Sequence, residues 1–517
     1  MDNIKEIASK YPKPSNYNPD YGTAGYRTNG YLLESTLFRC GILMALKSLH
    51  EGYSCGIMIT ASHNPINDNG VKLIDYNGEM INEKWEYYAD LLTKSDTIDE
   101  LEHNIQIIVK ENPPVITTSC VFIGYDTRPS RYILTNACKD GINLCGVEII
   151  DLGQVTTPEL QFYVHSSYNG NMFNKVDTYI VHLLQCFNNL KTKSNKLTHL
   201  HVDCANGIGG KKLQILQPLL EKHGLILHLH NTNGILNHLC GADYIDKHLD
   251  FPSEMEDIGE GEKCCSLDGD ADRIIYFTKQ NDKFKILNGD NISILMALYI
   301  DELCKSINIK NIIPFLGIVQ TNYSNGAASN YIKNNLPNFE LCKTKTGVKF
   351  LHKKTKQFDI GIYFESNGHG TVLFNKSFLN NLITDVNNNI NMRLFTISKL
   401  MSQVTGDAIA NMLFIESILS TYISFDNWVN LYDTLPCKQM KIMKDKSLFE
   451  NDSTEQFCIR PYDLQNKLDS IMSMFPGSRC FIRPSGTENV VRLYVEGQNN
   501  NNVNDIVEMI SQEIDKI

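Results

Sequence analysis

An apolar run of four to eight residues bounded by turn-forming residues reads as a buried strand rather than a surface helix. Such runs recur in this chain, and each stops abruptly at a polar loop. Gly56-Ile57-Met58-Ile59 ends at Thr60-Ala61-Ser62-His63-Asn64-Pro65, and Val121-Phe122-Ile123-Gly124 and Val147-Glu148-Ile149-Ile150 end in the same manner. Between the runs, Leu33, Leu37, Cys40 and Met44 recur at helical spacing, and Gly52 is placed to end that helix. Strands alternating with helices predict an α/β protein with a mixed or parallel sheet. In such sheets ligands gather outside the carboxyl ends of the strands. A hydroxyl, an imidazole and an amide set on a strand end therefore sit on a rigid platform.

At 517 residues the chain exceeds what one hydrophobic core organises. A polar stretch at Asn188–Lys196 reads as a linker, after which Leu200-His201-Val202-Asp203 starts a second strand-loop-helix series. A third starts around Ile286-Leu287-Asn288-Gly289, and the final segment alternates Val491, Leu493 and Val495 before a helix carrying Val503, Ile506, Ile510, Ile514 and Ile517. The Asn-rich stretches at 386–392 and 497–505 read as loop without chemistry. The expected division is residues 1–180, 181–286, 287–425 and 426–517. The formal charge of -11 argues against a nucleic-acid partner, so an anionic ligand would depend on local basic pockets. No apolar stretch approaches the length of a membrane span, and the N-terminus has no secretory h-region. Fifteen cysteines without Cys-x-x-Cys spacing point to reduced thiols in a cytoplasmic protein.

Four loops carry chemistry. Ser62 beside His63 invites a hydrolase, but neighbouring strand residues face opposite ways and no G-x-S-x-G elbow is present. A capped strand end turned by Asn64-Pro65 accounts for the same residues. Asp268, Asp270 and Asp272, at alternate positions of Leu-Asp-Gly-Asp-Ala-Asp-Arg, can converge on one hard cation. Arg273 and Lys279 occupy the positions where an EF-hand needs glycine and glutamate. Three carboxylates leave coordination open for substrate, which suits Mg²⁺ acting on phosphate; the alternative is a solvated acidic turn. Arg483, Ser485, Gly486 and Thr487, with Arg492 beyond, suit a phosphate dianion, or else form a turn with surface arginines. Glu365, Asn367 and His369 alternate in a manner suited to reading hydroxyls, or to plain loop surface. Arg27, Arg128 and Arg131 lie in sequences expected to form glycine-containing turns. Together these loops point to phosphoryl transfer on a small polyol.

T-A-S-H-N-P, D-G-D-A-D-R, E-S-N-G-H and R-P-S-G-T-E, in this order, resemble the four signatures of the α-D-phosphohexomutases. They span nearly the whole chain. The loop Phe364-Glu365-Ser366-Asn367-Gly368-His369 resembles the F-E-A-N-G-H-G of the phosphoacetylglucosamine mutase subgroup, with Ser366 in place of alanine. The resemblance implies four domains, three mixed α/β and a C-terminal α+β domain, around a central active-site cleft. It implies that Ser62 is phosphorylated and, with Asp268, Asp270 and Asp272, holds one Mg²⁺ per subunit. Arg27, His63 and Lys72 would surround the transferring phosphoryl group, with Asn64 and Arg273 nearby. Glu365, Ser366, Asn367 and His369 would hold the sugar, and Arg483, Pro484, Ser485, Gly486, Thr487 and Arg492 the distant phosphate. The implied activity is interconversion of N-acetylglucosamine 6- and 1-phosphates through a 1,6-bisphosphate, which also serves as activator, for UDP-N-acetylglucosamine synthesis. The expected partner is a phosphosugar, with neither nucleic acid nor membrane, and the expected state is a monomer. Phosphoglucomutase or phosphomannomutase activity, and sugar-phosphate binding without catalysis, are the alternatives.

Overall fold

The helix Glu34–Glu51 is buried from Ser35 to Leu49, more completely than a one-sided apolar stripe would require. Lys47 is enclosed with it and is compensated by Glu51 at 2.9 Å and Asp75 at 2.8 Å, as an enclosed ammonium must be. Gly52 ends the helix in the left-handed region at φ 76°, where a side chain would be strained. The chain then enters the strand that carries the Ser62 loop on its far end. These features come from a computed structural model, which describes residues 4–116, 118–170, 178–191, 197–306, 313–383, 388–486 and 489–517.

Residues group into two compact units, 1–286 with 404–414, and 287–403 with 415–517. The first unit holds two mixed sheets. One contains β1 (Tyr26–Asn29), β2 (Cys55–Ile59), β3 (Asp68–Ile74), β4 (Cys120–Tyr125) and β5 (Glu148–Gln154), in the order β1-β3-β2-β4-β5. Strand β2 runs parallel to β4 and antiparallel to β3, and all five of its residues are buried. Enclosure on both faces explains why its sequence is a continuous apolar run. Burying Ile57, Met58 and Ile59 contributes about 1.5–3 kcal/mol each. The second sheet contains β6 (Thr198–Asp203), β7 (Leu225–His230), β8 (Cys264–Leu267), β9 (Ile274–Gln280) and β10 (Lys283–Leu287), in the order β10-β9-β8-β6-β7. Its β8–β9 pair is antiparallel and brackets the aspartate loop.

The second unit holds a mixed sheet of β11 (Leu316–Gln320), β12 (Phe339–Lys343), β13 (Ile360–Phe364) and β14 (Gly370–Phe374), in the order β12-β11-β13-β14. It also holds an antiparallel sheet of β15 (Cys437–Ile442), β19 (Val491–Glu496) and β18 (Arg479–Pro484), in that order, and a short pair β16 (Glu450–Asn451) and β17 (Cys458–Arg460). The helix Asn500–Asp515 covers the antiparallel sheet with Val503, Ile506, Ile510 and Ile514, while Ile517 stays exposed. The architecture is thus mixed α/β with an α+β portion at the C-terminal end. No helix among the described residues is long and apolar enough to cross a membrane.

Two sequence expectations need correction. Asn188 to Leu190 are not linker: they finish the helix Thr178–Leu190, where Leu190 is buried, while 192–196 lie outside the described residues. The Asn-rich stretches start helices. Asn388 accepts from the N–H groups of Ile390 and Asn391, and Asn499 accepts from that of Asn502. A short amide side chain satisfies helix N-terminal donors that a loop would leave to water.

Candidate active site

Ser62 stands just beyond β2 with φ 49°, a backbone region uncommon for a residue with a side chain. It is not part of the strand, so the alternation of neighbouring strand residues does not govern where Ser62 and His63 point. The loop is held in this shape from several directions. Thr60 Oγ1 accepts from the Ser62 N–H at 3.0 Å and donates to Asp126 Oδ2 at 2.7 Å. The buried Arg128 donates from Nε to Asp126 Oδ2 and from its two terminal nitrogens to the carbonyls of Ser62, Asn64, Pro65 and Asp68, at 2.5–3.1 Å. Asn237 donates to the carbonyls of Ser62 and Asn64 at 2.8 and 3.0 Å. Backbone strain persists where the surroundings over-determine it, and here they do.

The aspartate loop meets this platform directly. Ser62 Oγ donates to Asp268 Oδ2 at 2.6 Å. Gly269 is glycine because a Cβ there would stand 2.5 Å from the Ser62 carbonyl oxygen. Asp268 Oδ1 accepts from the N–H groups of Asp272 and Arg273. Lys72, on β3, donates to Asp270 Oδ2 at 2.6 Å and Asp272 Oδ2 at 2.7 Å. Thr157 Oγ1 also donates to Asp270 Oδ2, at 2.5 Å.

One ligand atom from each of the three aspartates lies within 4.8 Å of the others. Burial first, then the Asp272 and Asp270 carboxylates, pushes the Asp268 carboxyl well above the usual range. Asp270 Oδ1 is buried without a hydrogen-bond partner. Crowded carboxylates with an oxygen left over are what a hard divalent cation would satisfy.

Cations surround the carboxylates. Arg273 Nε is 3.9 Å from Asp268 Oδ2 and 3.8 Å from Asp272 Oδ1. Arg27 lies on β1, not in a turn; burial and then Arg273 lower its proton affinity, against the pull of Asp270, Asp272 and Asp268. Arg273, burial, Arg27 and Lys247 together keep His63 neutral, far below the ordinary histidine range. The Nδ1 of His63 is buried and makes no hydrogen bond. Asn64 donates to Asp68 at 3.1 Å. Arg131 is the first residue of the helix Arg131–Leu144 and ties it to the preceding turn, donating to the carbonyls of Thr127 and Arg128.

In the second unit, Glu365 to His369 form the turn between β13 and β14. The Glu365 N–H donates to the His369 carbonyl, Asn367 Oδ1 accepts from the His369 N–H, and Asn367 Nδ2 lies 3.4 Å from Glu365 Oε2. Glu365, Ser366 and Asn367 are half-buried, whereas His369 is 5% exposed. The N-terminus of the helix Gly289–Lys305 rests on this turn: the Gly289 N–H donates to the Ser366 carbonyl, and a Cβ at Gly289 would stand 1.9 Å from the Glu365 carbonyl oxygen.

On the antiparallel sheet, Arg483 of β18 is paired directly opposite Arg492 of β19, which is opposite Lys441 of β15. Like charges directly opposite are destabilising, so a row of three cations favours an anion beside it. Glu455 lies 3.6 Å from Arg483 Nε, and the guanidinium lies 5.9 Å from the Tyr323 ring centroid. Ser485 is buried and its N–H is already donated to the Val490 carbonyl, so that donor is not open to a ligand. Pro484 ends β18, Gly486 is exposed with open space where a Cβ would be, and Thr487 lies outside the described residues.

Sequence reasoning missed Thr60, Asp126, Thr157 and Asn237, and left Arg128 without a role. The spacing of Asp126 and Arg128 at the end of β4 was an available signal, because Asp126 also accepts from the Arg128 N–H.

Comparison with known proteins gives a consistent picture. Residues 288–423 match the family "Phosphoacetylglucosamine mutase AMG1, domain III". Residues 42–100 and 92–173 match "Phosphoglucomutase/phosphomannomutase, alpha/beta/alpha domain I", and 465–513 match the C-terminal domain of the same proteins. Human phosphoacetylglucosamine mutase is 37% identical over 529 residues, covering 98% of this chain and 96% of its own length. A crystal structure of N-acetylglucosamine-phosphate mutase in its substrate complex has a TM-score of 0.94 at 33% identity, covering 99% of both chains. The Aspergillus fumigatus N-acetylphosphoglucosamine mutase, solved with GlcNAc-6P and magnesium, has a TM-score of 0.91 at 32% identity, covering 99% of this chain and 98% of its own.

Proposed function

Because the chain belongs to the phosphoacetylglucosamine mutases, isomerases of the α-D-phosphohexomutase superfamily, we propose that it interconverts N-acetylglucosamine 6-phosphate and N-acetylglucosamine 1-phosphate through a phosphoserine at Ser62. The observation that carries this is the 2.6 Å hydrogen bond from Ser62 Oγ to Asp268, beside a carboxylate cluster whose Asp270 Oδ1 has no hydrogen-bond partner. A trace of sugar 1,6-bisphosphate first phosphorylates Ser62. The phosphoserine then gives its phosphoryl group to the anomeric hydroxyl of the 6-phosphate, breaking the P–O bond to Ser62 and forming one to the sugar. The resulting 1,6-bisphosphate turns end over end, and Ser62 Oγ takes the 6-phosphoryl group, leaving the 1-phosphate. Such transfers need positioning and charge neutralisation more than covalent assistance.

Asp268, Asp270 and Asp272, with the phosphate on Ser62, would hold Mg²⁺, which when bound neutralises charge on the group in transit. Arg27, Arg273 and Lys72 place fixed positive charge around it, and neutral His63 adds none. Glu365, Ser366 and Asn367, with the buried His369 in the same turn, read the sugar hydroxyls and acetamido group. Arg483, Arg492, Ser485 and Gly486, together with Thr487 and Pro484, hold the phosphate that is not reacting. Lys441 supplies further charge from β15. The 1-phosphate is the form from which UDP-N-acetylglucosamine is made.

The test follows N-acetylglucosamine 6-phosphate by ³¹P NMR with Mg²⁺ and catalytic sugar bisphosphate, beside glucose and mannose 6-phosphates. A 1-phosphate signal rising fastest from the acetylated sugar is expected. Faster conversion of either other sugar overturns the substrate, and silence from all three overturns the reaction. Excess EDTA is expected to stop the signal and added Mg²⁺ to restore it; full activity in EDTA rules out the metal assignment. Arg483→Gln is expected to raise KM at least about tenfold, since a charge-assisted bond contributes about 1.5–3 kcal/mol, and unchanged KM and kcat would remove Arg483 from the clamp. Gly289→Ala pushes the helix N-terminus against the sugar turn. Overpacking of this kind costs about 1–3 kcal/mol, so KM is expected to rise several-fold with a modest drop in melting temperature. Wild-type kinetics in that variant would show that the sugar turn does not depend on this contact.

A further inference from the structure

The second sheet of the first unit carries a set of side chains that phosphoryl transfer does not use. His199 and His201 lie on β6, and His228 and His230 on β7. The parallel register sets His201 against His228, so the alternation of strand residues puts all four imidazoles on one face. Leu200, Val202, Leu225 and Leu227, on the other face, are buried.

The rings form two pairs. His199 Nδ1 is 2.9 Å from His228 Nε2, and His201 Nδ1 is 3.1 Å from His230 Nε2. Ring planes within each pair are 14° and 26° apart, and the inner rings, His201 and His228, stack at 4.6 Å. Each pair is joined by one N–H donated to one lone pair. On the far side of His201, Glu262 Oε2 lies 3.7 Å from Nε2. That carboxylate favours the proton on Nε2 and leaves the Nδ1 lone pair facing His230, the orientation that carboxylates impose on metal-binding histidines.

We propose that this imidazole face binds a divalent transition-metal ion of the Ni²⁺, Cu²⁺ or Zn²⁺ class, through His201 Nδ1 and His230 Nε2, with His199 and His228 as an adjoining pair. Neutral imidazole is the commonest nitrogen ligand for such ions. Burial, and then the neighbouring imidazoles, hold His201 and His228 below the ordinary histidine range, so they are unprotonated at neutral pH. Two nitrogens each ~2.0–2.1 Å from one ion and at a right angle to each other stand about 2.9 Å apart. The observed separations match the spacing of neighbouring ligands in the tetragonal geometry of Cu²⁺ and Ni²⁺. With ring centroids 5.3 Å apart the nitrogens of each pair now face each other, so binding also requires the two rings to turn and aim both lone pairs at one ion. On binding, the proton between the rings leaves His230 Nε2 and is replaced through solvent at its Nδ1, so both rings stay neutral. Water completes the coordination, and Glu262 stays behind His201, beside its Nε2.

The test titrates untagged, full-length protein with Ni²⁺ by calorimetry at about pH 7.5, in excess Mg²⁺ that serves the aspartate cluster. Binding in the micromolar range is expected, weakened at least about tenfold in both His201→Gln and His230→Gln and unchanged in Asp270→Asn. Turnover is expected to be unaffected in His230→Gln. Equal affinity in the histidine variants, loss in Asp270→Asn, or no binding in wild type overturns the proposal. Should a histidine variant fail to fold, the wild type alone decides. Its Ni²⁺ affinity must fall progressively as the pH is lowered from about 7.5 to about 5.5, because protons compete for the imidazole nitrogens, and an affinity independent of pH over that range overturns the proposal.

Discussion

Ser62→Ala is expected to reduce turnover by about 10⁴-fold or more, the scale on which removal of an essential nucleophile acts. Binding of N-acetylglucosamine 6-phosphate should be retained, because the sugar and the distal phosphate are proposed to be held by Glu365, Asn367, Arg483 and Arg492, not by Ser62. The fold should also tolerate the change. Alanine at φ 49° is strained to about the same degree as serine, and losing the bond to the Asp268 carboxylate removes about 1.5–3 kcal/mol. Near-normal activity in this variant would end the phosphoserine proposal, and lost binding would show that Ser62 organises the site rather than carrying the phosphoryl group.

Arg128→Ala is expected to have the second-largest effect, and to show it in both stability and rate. Arg128 is buried, is paired with the equally buried Asp126, and supplies four carbonyls of the Ser62 loop with their donors. Removing one partner of a buried ion pair costs about 3–5 kcal/mol, which should appear as a lower denaturant midpoint. A displacement of about 1 Å at the reacting group can cost about 10²-fold in rate. Arg128→Lys separates the two effects: it keeps a charge for Asp126 but loses the planar fork. Its stability should recover in part while kcat stays low. A lysine variant with wild-type kcat would mean that Asp126 pairing alone, not the carbonyl clamp, is what the loop needs.

The strand ends and the aspartate loop are legible in the sequence because their residues are contiguous and their chemistry lies in their side chains. The spacing of Asp268, Asp270 and Asp272 points to a candidate cation site, with a solvated acidic turn as the alternative that spacing leaves open. The clamp around Ser62 is not legible in the same way. Arg128 and Asn237 act on backbone carbonyls, which every residue possesses, from 66 and 175 positions away from Ser62. Thr157 meets Asp270 across 113 positions. Composition misled where asparagine was concerned: a polar tract looks like loop, yet one amide at the right position starts a helix. The Arg483–Arg492 pair was expected as two guanidinium groups around a phosphate, but the strand register that sets them face to face, with Lys441 in the same row, follows only from the pairing of the sheet.

Residues 404–414 group with the first unit although the chain reaches them only after 117 residues, Leu287–Gln403, of the second. Within the first unit Asp407 accepts from the Tyr179 hydroxyl at 2.7 Å, and the Ala408 N–H donates to the carbonyl of Ala271, inside the aspartate loop, at 3.0 Å. Modular inheritance is thereby restricted. A recombination event that exchanged residues 1–286 for those of a relative would import an aspartate loop while keeping a foreign strap against it. Insertions and divergence between 287 and 403 are tolerated only if the chain still returns this short segment to the same place. The two halves of this gene product are therefore bound to evolve as one.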